Sequence, residues 1–142
     1  MNDATDIDPR YAIGVPEMDR EHARWITLIE QFRLAAAGHL LDQVGFGAAE
    51  KTLDQLLKYT QQHFDSEERL LISYEYPLLA EHRKKHRQLT DAVLKLRNEL
   101  SAHQHTSTPL KLNLFVTVWL LEHIMTDDWN YAVYIREKRG QG

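Results

Sequence analysis

The stretch that decides the fold spans residues 63–86 and reads HFDSEERLLISYEYPLLAEHRKKH. Apolar residues recur every three or four positions until Pro77, where a helix is expected to end, and the same spacing resumes at Leu79. Each half carries two ionisable residues four positions apart, namely His63 with Glu67 and His82 with His86. Because residues four apart lie one above the other on a helix, the stretch predicts two helices that each direct a pair of polar side chains inward.

The rest of the chain supplies two further helices and an N-terminal arm. Residues 1–16 are acidic and broken by proline and glycine, so we expect an extended arm that lies on the body. The predicted helices are, in order, residues 17–37, 47–75, 78–103 and 109–127, followed by a short helical extension over residues 129–138. Helices of this length with short connections form an up-down-up-down antiparallel four-helix bundle, so residues 1–142 are predicted to be one all-α domain.

The same spacing assigns inward-facing residues to the fourth helix and the extension. A threonine and a proline at positions 108 and 109 are the expected N-terminal cap of the fourth helix. The inward residues are predicted to be Leu112, Val116, Trp119 and His123 in this helix, and Trp129, Val133 and Arg136 in the extension. The fourth helix therefore brings a further histidine to the predicted core.

Composition limits the classes of function. The chain has 142 residues, no cysteine, 8 histidines and a net charge of −4. The lack of cysteine excludes disulfides and thiolate metal sites, and the acidic balance argues against nucleic acid as a partner. The longest uncharged apolar-rich run, residues 112–121, is shorter than the roughly 20 residues that cross a bilayer, so no membrane span is expected. The N-terminus lacks the basic-then-apolar order of a signal peptide, which makes the cytoplasm the expected location.

Ionisable residues occupy inward positions where a bundle core would normally hold leucine. They are His22, His63, Glu67, His82, His86 and His123, with Asp127 and Asp128 just beyond. Burial of an unpaired carboxylate or imidazole costs several kcal/mol against a net stability of about 5–15 kcal/mol, so these groups either pair with one another or hold a cation. Their depths in the bundle agree within about two turns, so they converge. Imidazoles and carboxylates without thiolate suit iron, zinc, copper or manganese, and the number of donors favours two ions, with dinuclear iron as the preferred interpretation.

The order of these residues resembles that of the hemerythrins, and more closely that of the bacterial hemerythrin-like proteins. The resemblance is carried by residues 63–67 and 82–86 together with flanking segments that read GVPEMD at 14–19, YEYP at 74–77 and WLLEHI at 119–124. It runs from about Tyr11 to Tyr134. It implies a four-helix bundle with a non-haem di-iron centre, an oxo or hydroxo bridge between two iron ions, and dioxygen as the ligand.

Carried over position by position, the resemblance also implies the metal ligands. One iron would be held by His82, His86 and His123, the other by His22 and His63, with Glu67 and Asp128 as bridging ligands. The second iron then has one ligand fewer, and that open position is where the family binds dioxygen.

One assignment conflicts with regular helical geometry. Asp127 lies four residues after His123 and shares its face, whereas Asp128 points about 140° away in a regular helix. The family spacing selects Asp128, which requires the helix to loosen or end near Thr126. Glu68 is expected to face away from the inward stripe, because adjacent residues differ by about 100°.

Two apolar residues are predicted to line the oxygen pocket. Trp25 lies one turn beyond His22, where the family more commonly has a leucine-sized residue, and Leu120 lies one turn before His123 on the opposite wall. We expect Trp25 to narrow the pocket or to shield the bound ligand from water. The alternative is that its ring only fills core volume.

The predicted function is reversible dioxygen binding for storage, delivery or scavenging, and the chain is expected not to be an enzyme. A shell rich in imidazole has few anionic donors, so it stabilises high-valent iron less than the carboxylate-rich sites of di-iron oxygenases. The alternatives are a di-iron peroxidase or nitric-oxide-handling enzyme, an oxygen or redox sensor that acts through a partner, and a structural zinc bundle. The candidate protein partners of a carrier are an oxygen-consuming enzyme or a reductase.

Overall fold

The computed structural model describes residues 7–39, 43–102 and 117–140, and the regular structure in these ranges is helical throughout. A 3₁₀ turn at Pro9–Tyr11 precedes helices α1 (Pro16–His39), α2 (Gln43–Ser73) and α3 (Leu79–Ala102). Helix α4 is described over residues 117–123, and a π-helical turn at Ile124–Asp128 connects it to α5 (Trp129–Lys138). The all-α class predicted from the sequence is confirmed.

The start of α2 differs from the sequence expectation. The helix begins at Gln43, ahead of the predicted start at residue 47. Gly47 lies inside this helix, with open space where a Cβ atom would sit, so it does not act as a loop residue. The predicted cap at residues 108 and 109 and the inward positions Leu112 and Val116 lie outside the described residues.

The segment before α1 is held in place by hydrogen bonds to the first turn of that helix. The Asp19 carboxylate accepts hydrogen bonds from the backbone N–H groups of Ile13, at 2.8 Å, and Gly14, at 3.1 Å. Gly14 has a φ of +83°, a conformation that residues with a Cβ atom rarely adopt. Ile13 and Val15 are both buried, so this part of the arm contributes to the core.

A left-handed cap reverses the chain between α2 and α3. Glu75 has a φ of +52°, and the Tyr76 N–H donates to the Leu71 carbonyl at 3.0 Å, as in a Schellman motif. The Tyr134 hydroxyl donates to the Tyr74 carbonyl at 3.0 Å and so ties α5 to the end of α2. The turn therefore sets α2 and α3 side by side, with their paired polar residues facing one another.

The core lies between the helices, with α1 packed along α2 and α2 packed along α3. Its largest fully buried side chains include Trp25, Tyr131 and Phe32. Among the described residues, no helix combines the length and the apolar character needed to cross a membrane.

The inward face predicted for α4 is wrong at Trp119. This side chain is 41% exposed, whereas Leu120, His123 and Ile124 are buried. The buried face is centred between these three residues, so Trp119 lies at its edge, where a large ring extends into solvent.

The inward face predicted for the extension is also wrong. Trp129 and Val133 are exposed, and the buried residues of α5 are Tyr131, Ala132 and Ile135. The buried face of α5 continues from Asp128 instead, since Tyr131, Ala132 and Ile135 lie three, four and seven residues after it.

Candidate metal centre

Five histidines on four helices surround two buried carboxylates. They are His22 on α1, His63 on α2, His82 and His86 on α3 and His123 on α4, and the carboxylates belong to Glu67 on α2 and Asp128 in the π turn. Each of these seven residues is at most 5% exposed. The structure therefore brings together all seven residues that the sequence resemblance singled out.

The donor atoms form two groups that share both carboxylates. Within each group, one nitrogen or oxygen from every member lies within 4.8 Å of the others. The five-donor group consists of Glu67, His82, His86, His123 and Asp128, and the four-donor group consists of His22, His63, Glu67 and Asp128. The arrangement can therefore hold two ions side by side.

Glu67 divides its two oxygens between the groups. Its Oε1 atom lies 2.8 Å from His82 Nε2 and 2.9 Å from His86 Nε2 in the five-donor group. Its Oε2 atom lies 3.5 Å from His22 Nε2 and 3.5 Å from His63 Nε2 in the four-donor group. The two oxygens of Glu67 therefore face different donor groups.

Asp128 divides its oxygens in the same way because of the π turn. Its Oδ1 lies 3.2 Å from His82 Nε2 and 3.1 Å from His123 Nε2, and its Oδ2 lies 3.1 Å from His22 Nε2. A π turn is closed by hydrogen bonds between residues five apart and so holds one extra residue, which returns Asp128 to the face of His123, from which a regular α-helix would turn it away. Asp127 lies at the outer edge, with Oδ2 2.9 Å from His123 Nδ1.

Unsatisfied polar atoms inside the cluster show that the residues fit a metal ion. His22 Nε2, His63 Nε2 and both oxygens of Asp128 are buried without a hydrogen-bond partner. Their short separations lack hydrogen-bond geometry, and leaving a buried polar group unpaired costs roughly 1–3 kcal/mol. A cation would use all of these lone pairs, and a donor set of imidazole nitrogens and carboxylate oxygens is suited to first-row transition metals.

Without a metal ion, the cluster holds protons instead. Burial opposes protonation of His22, but Asp128 and Glu67 outweigh it and raise the pKa of His22 to about 9. The same opposition between burial and the two carboxylates raises the pKa of His82 to about 10, and Asp128, Asp127 and Glu67 together raise that of His123 to about 9 against its burial. Burial also opposes ionisation of Glu67, yet the imidazoles of His22, His82 and His86 at its carboxylate hold its pKa well below the usual range. Imidazolium and carboxylate therefore compensate one another in the metal-free protein.

Three further carboxylates bind the outer nitrogen of three histidines. The Nδ1 atoms and their partners are His63 with Glu21 at 2.7 Å, His86 with Glu68 at 2.7 Å and His123 with Asp127 at 2.9 Å. A carboxylate at Nδ1 places the ring hydrogen there, which leaves the Nε2 lone pair directed at the cluster and orients the ring.

The sequence did not predict a site role for two of these outer carboxylates, Glu68 and Glu21. Glu68 does turn away from Glu67 around α2, but this rotation directs it towards α3, where it also accepts a hydrogen bond from Arg83 Nε at 3.2 Å. Glu21 lies directly before His22 and reaches α2 rather than the core. The sequence feature that could have identified both residues is an acidic residue directly next to an inward-facing histidine or glutamate. The sequence does not show which neighbouring helix the acidic side chain contacts.

Tyr131 is a further site residue that the sequence did not reveal. It is fully buried on α5, and its hydroxyl donates to Glu67 Oε2 at 2.8 Å. Its ring lies edge-on to that of His82, with the centroids 5.4 Å apart. Tyr131 thus anchors one oxygen of a shared carboxylate from a helix that contributes no imidazole.

Trp25 lies beside the four-donor group. Its ring centroid is 4.9 Å from that of His63 and 6.1 Å from that of His22. Its indole Nε1 donates to Thr60 Oγ1 at 2.8 Å, and this hydroxyl donates in turn to the Leu56 carbonyl at 2.7 Å. The side chain is therefore locked in one orientation against the two-histidine half of the cluster.

Leu120, the other predicted wall residue, is buried on α4 three residues before His123. His123 belongs to the five-donor group, whereas Trp25 lies beside the four-donor group. A position for Leu120 on the wall opposite Trp25 stays a prediction.

The fold and the site define a class of protein: an all-α bundle with a buried histidine and carboxylate cluster able to bind metal ions. A family model described as the Hemerythrin HHE cation binding domain matches residues 13–132, and the chain belongs to the hemerythrin family. It is 29% identical to a protein named bacteriohemerythrin from Stenotrophomonas maltophilia over 129 residues, which cover 91% of this chain and 80% of the relative. It is 27% identical to a bacteriohemerythrin from Pseudomonas aeruginosa over 128 residues, which cover 90% and 79%. Membership of this family supports an iron-containing, oxygen-binding domain.

We expect the stability of the metal-free protein to fall as the pH rises from about 6.5 to about 9. Histidines with raised pKa values contribute stability that is fully present below their unfolded pKa of 6.5 and is lost as the pH passes their folded pKa values, such as about 9 for His22. Metal binding displaces the same protons, so metal affinity should rise over this range. Urea unfolding of the apoprotein and metal titration at several pH values would measure the two slopes. Apoprotein stability that stays level or rises would contradict the proposed proton network.

Replacement of Tyr131 by phenylalanine should destabilise the metal-free protein by about 1–3 kcal/mol, because Glu67 Oε2 then loses its hydroxyl donor inside the core. Urea unfolding would measure the change. Tyr134→Phe is the matched control on the same helix, since it removes only hydrogen bonds to backbone carbonyls near the surface and should cost about 0.5–1.5 kcal/mol. Equal losses in the two variants would contradict the role given to Tyr131.

Proposed function

We propose that the protein binds dioxygen reversibly at a non-haem di-iron centre formed by the two donor groups. The observation that carries this proposal is the inequality of the groups. They share Glu67 and Asp128, but one contains three histidines and the other two. An ion in the four-donor group would therefore have a free coordination position for a small ligand.

The proposed ligand set follows the division of the donors. One ion is assigned His82, His86 and His123, the other His22 and His63, and the shared carboxylates are Glu67 and Asp128. The split of each carboxylate between the groups supports a bridging role for both, and an oxo or hydroxo group would complete the shared ligands. Membership of the hemerythrin family favours iron over zinc.

When bound as ferrous ions, the metal pair supplies the electrons that dioxygen accepts. The protein's own contribution is to hold the donors and keep water out. Phe64 stacks on the His86 ring, with the centroids 3.7 Å apart, and meets Trp25 edge-on at 5.5 Å. These two aromatic rings place apolar surface against both donor groups, which favours a neutral diatomic ligand over water or ions.

The carrier role, as opposed to catalysis, is part of the same proposal. Five of the seven donors are neutral imidazoles when they bind a metal, which limits the stabilisation of high-valent iron and the cleavage of the O–O bond. Oxygen storage, delivery or scavenging suits such a site, with an oxygen-consuming enzyme or a reductase as the protein partner.

Anaerobic reconstitution with ferrous iron tests the function directly. We expect about two irons per chain and a visible charge-transfer band that appears on exposure to oxygen and disappears when oxygen is removed. Added hydrogen peroxide or nitric oxide should not be turned over. A permanent ferric spectrum with product formation would favour the enzyme, and tight binding of zinc with no iron would favour a structural bundle.

We expect Trp25→Leu to accelerate autoxidation roughly tenfold, equivalent to about 1.4 kcal/mol of barrier, because a smaller side chain admits water to the four-donor group. Thr60→Val should have a smaller effect of the same sign, since it removes the hydroxyl that fixes the indole. The decay of the oxygenated absorption band would report both rates. Trp129→Leu is the control, because this tryptophan is exposed on α5. Unchanged decay in Trp25→Leu would leave Trp25 with a packing role alone.

A further inference from the structure

His63 is held from outside the cluster by a pair of residues on two different helices. Its Nδ1 lies 2.7 Å from Oε1 of Glu21 on α1, and the second oxygen of Glu21 accepts a hydrogen bond from Ser66 Oγ on α2 at 2.7 Å. The Tyr59 hydroxyl donates to the Glu21 backbone carbonyl at 3.0 Å. Both the side-chain carboxylate and the backbone carbonyl of Glu21 are thus hydrogen-bonded to residues of α2.

The four-donor group depends strongly on this contact, because fewer outer carboxylates hold its imidazoles than hold those of the five-donor group. Its other imidazole, His22, is buried with no hydrogen-bond partner at Nδ1. The five-donor group instead has two of its imidazoles held by outer carboxylates, His86 by Glu68 and His123 by Asp127. Within the described residues, Glu21 is therefore the acceptor that orients an imidazole of the four-donor group.

Glu21 also connects the two helices that supply this group's imidazoles. It precedes His22 in α1, and its side chain crosses to His63 in α2. A displacement of α1 along α2 would break the Glu21 contact and move His22 away from His63 together. The 4.7 Å separation of the two imidazole centroids is consequently coupled to the position of Glu21.

We propose that Glu21 is a positioning residue that sets the metal affinity of the four-donor group separately from that of the five-donor group. The inference rests on the metal centre of the proposed function, but not on oxygen binding. The Glu21 carboxylate orients the His63 ring and, as an anion at Nδ1, increases electron donation from Nε2. Ser66 supports it by holding the second carboxylate oxygen.

Two substitutions separate orientation from charge. Glu21→Gln keeps an oxygen acceptor for His63 Nδ1 and removes the negative charge, whereas Glu21→Ala removes both. We expect the affinity for one of two metal ions to fall about 10–100-fold in Glu21→Gln, with a larger fall in Glu21→Ala. Ser66→Ala should produce a smaller fall for the same ion.

Titration of the apoprotein with cobalt(II) measures these affinities without iron or oxygen. Glu68→Gln acts on the five-donor group, so it should lower the affinity for one ion, namely the ion whose affinity Glu21→Gln leaves unchanged. Glu30→Gln is the matched control on α1, because Glu30 is exposed and pairs with Arg33. Circular dichroism and the unfolding midpoint of each apoprotein would verify that the bundle is intact.

A double-mutant cycle tests whether Glu21 acts through His63. In the His63→Ala background, Glu21→Gln should cause no further loss of cobalt affinity, because the imidazole that it positions is gone. An equal loss in both backgrounds would overturn the proposal, as would wild-type affinity for both ions in Glu21→Gln or an equal loss of both. Wild-type protein that binds two metals but no oxygen would refute the proposed function and leave this inference standing.

Discussion

The burial of two carboxylates in an apolar core is the constraint on which the rest of the structure depends. Glu67 and Asp128 are fully buried, and their charges require compensation that no solvent can supply. Imidazoles from all four bundle helices surround them, and His22, His82 and His123, whose pKa values are raised, supply positive charge in the metal-free protein. The helices must therefore stay in register, because a shift of one helix would leave a buried charge unpaired.

The sequence contained enough information to predict the inward faces of the long helices. His63 with Glu67 and His82 with His86 repeat at four residues, and regular helices keep such pairs on one face. Pro77 marks the turn between them, so the helical spacing and this proline are enough to predict that α2 and α3 pack with their polar pairs facing one another. Predictions of this kind succeed because they depend on the period of a helix, which is the same in every protein.

Local rules fail where a contact depends on how helices rotate against one another. Asp128 shares a face with His123 only because of the π turn, and helical spacing alone selects the neighbouring Asp127. The face of Asp128 continues into α5, where Tyr131, three residues later, reaches Glu67. The family resemblance selected Asp128, whose carboxylate belongs to both donor groups, whereas helical spacing selects Asp127 because it takes the helix as uninterrupted.

The outer carboxylates supply negative charge beyond that of the two shared carboxylates. Two shared carboxylates cannot neutralise two divalent cations, yet each added anionic ligand would occupy a coordination position. Glu21, Glu68 and Asp127 place negative charge at the far side of three imidazoles, so they would compensate bound cations through the ring without taking a position at the metal. Because all three are only partly buried, their own desolvation is modest compared with that of Glu67. A cluster built in this way can be held tightly and still keep one coordination position free for a ligand from solution.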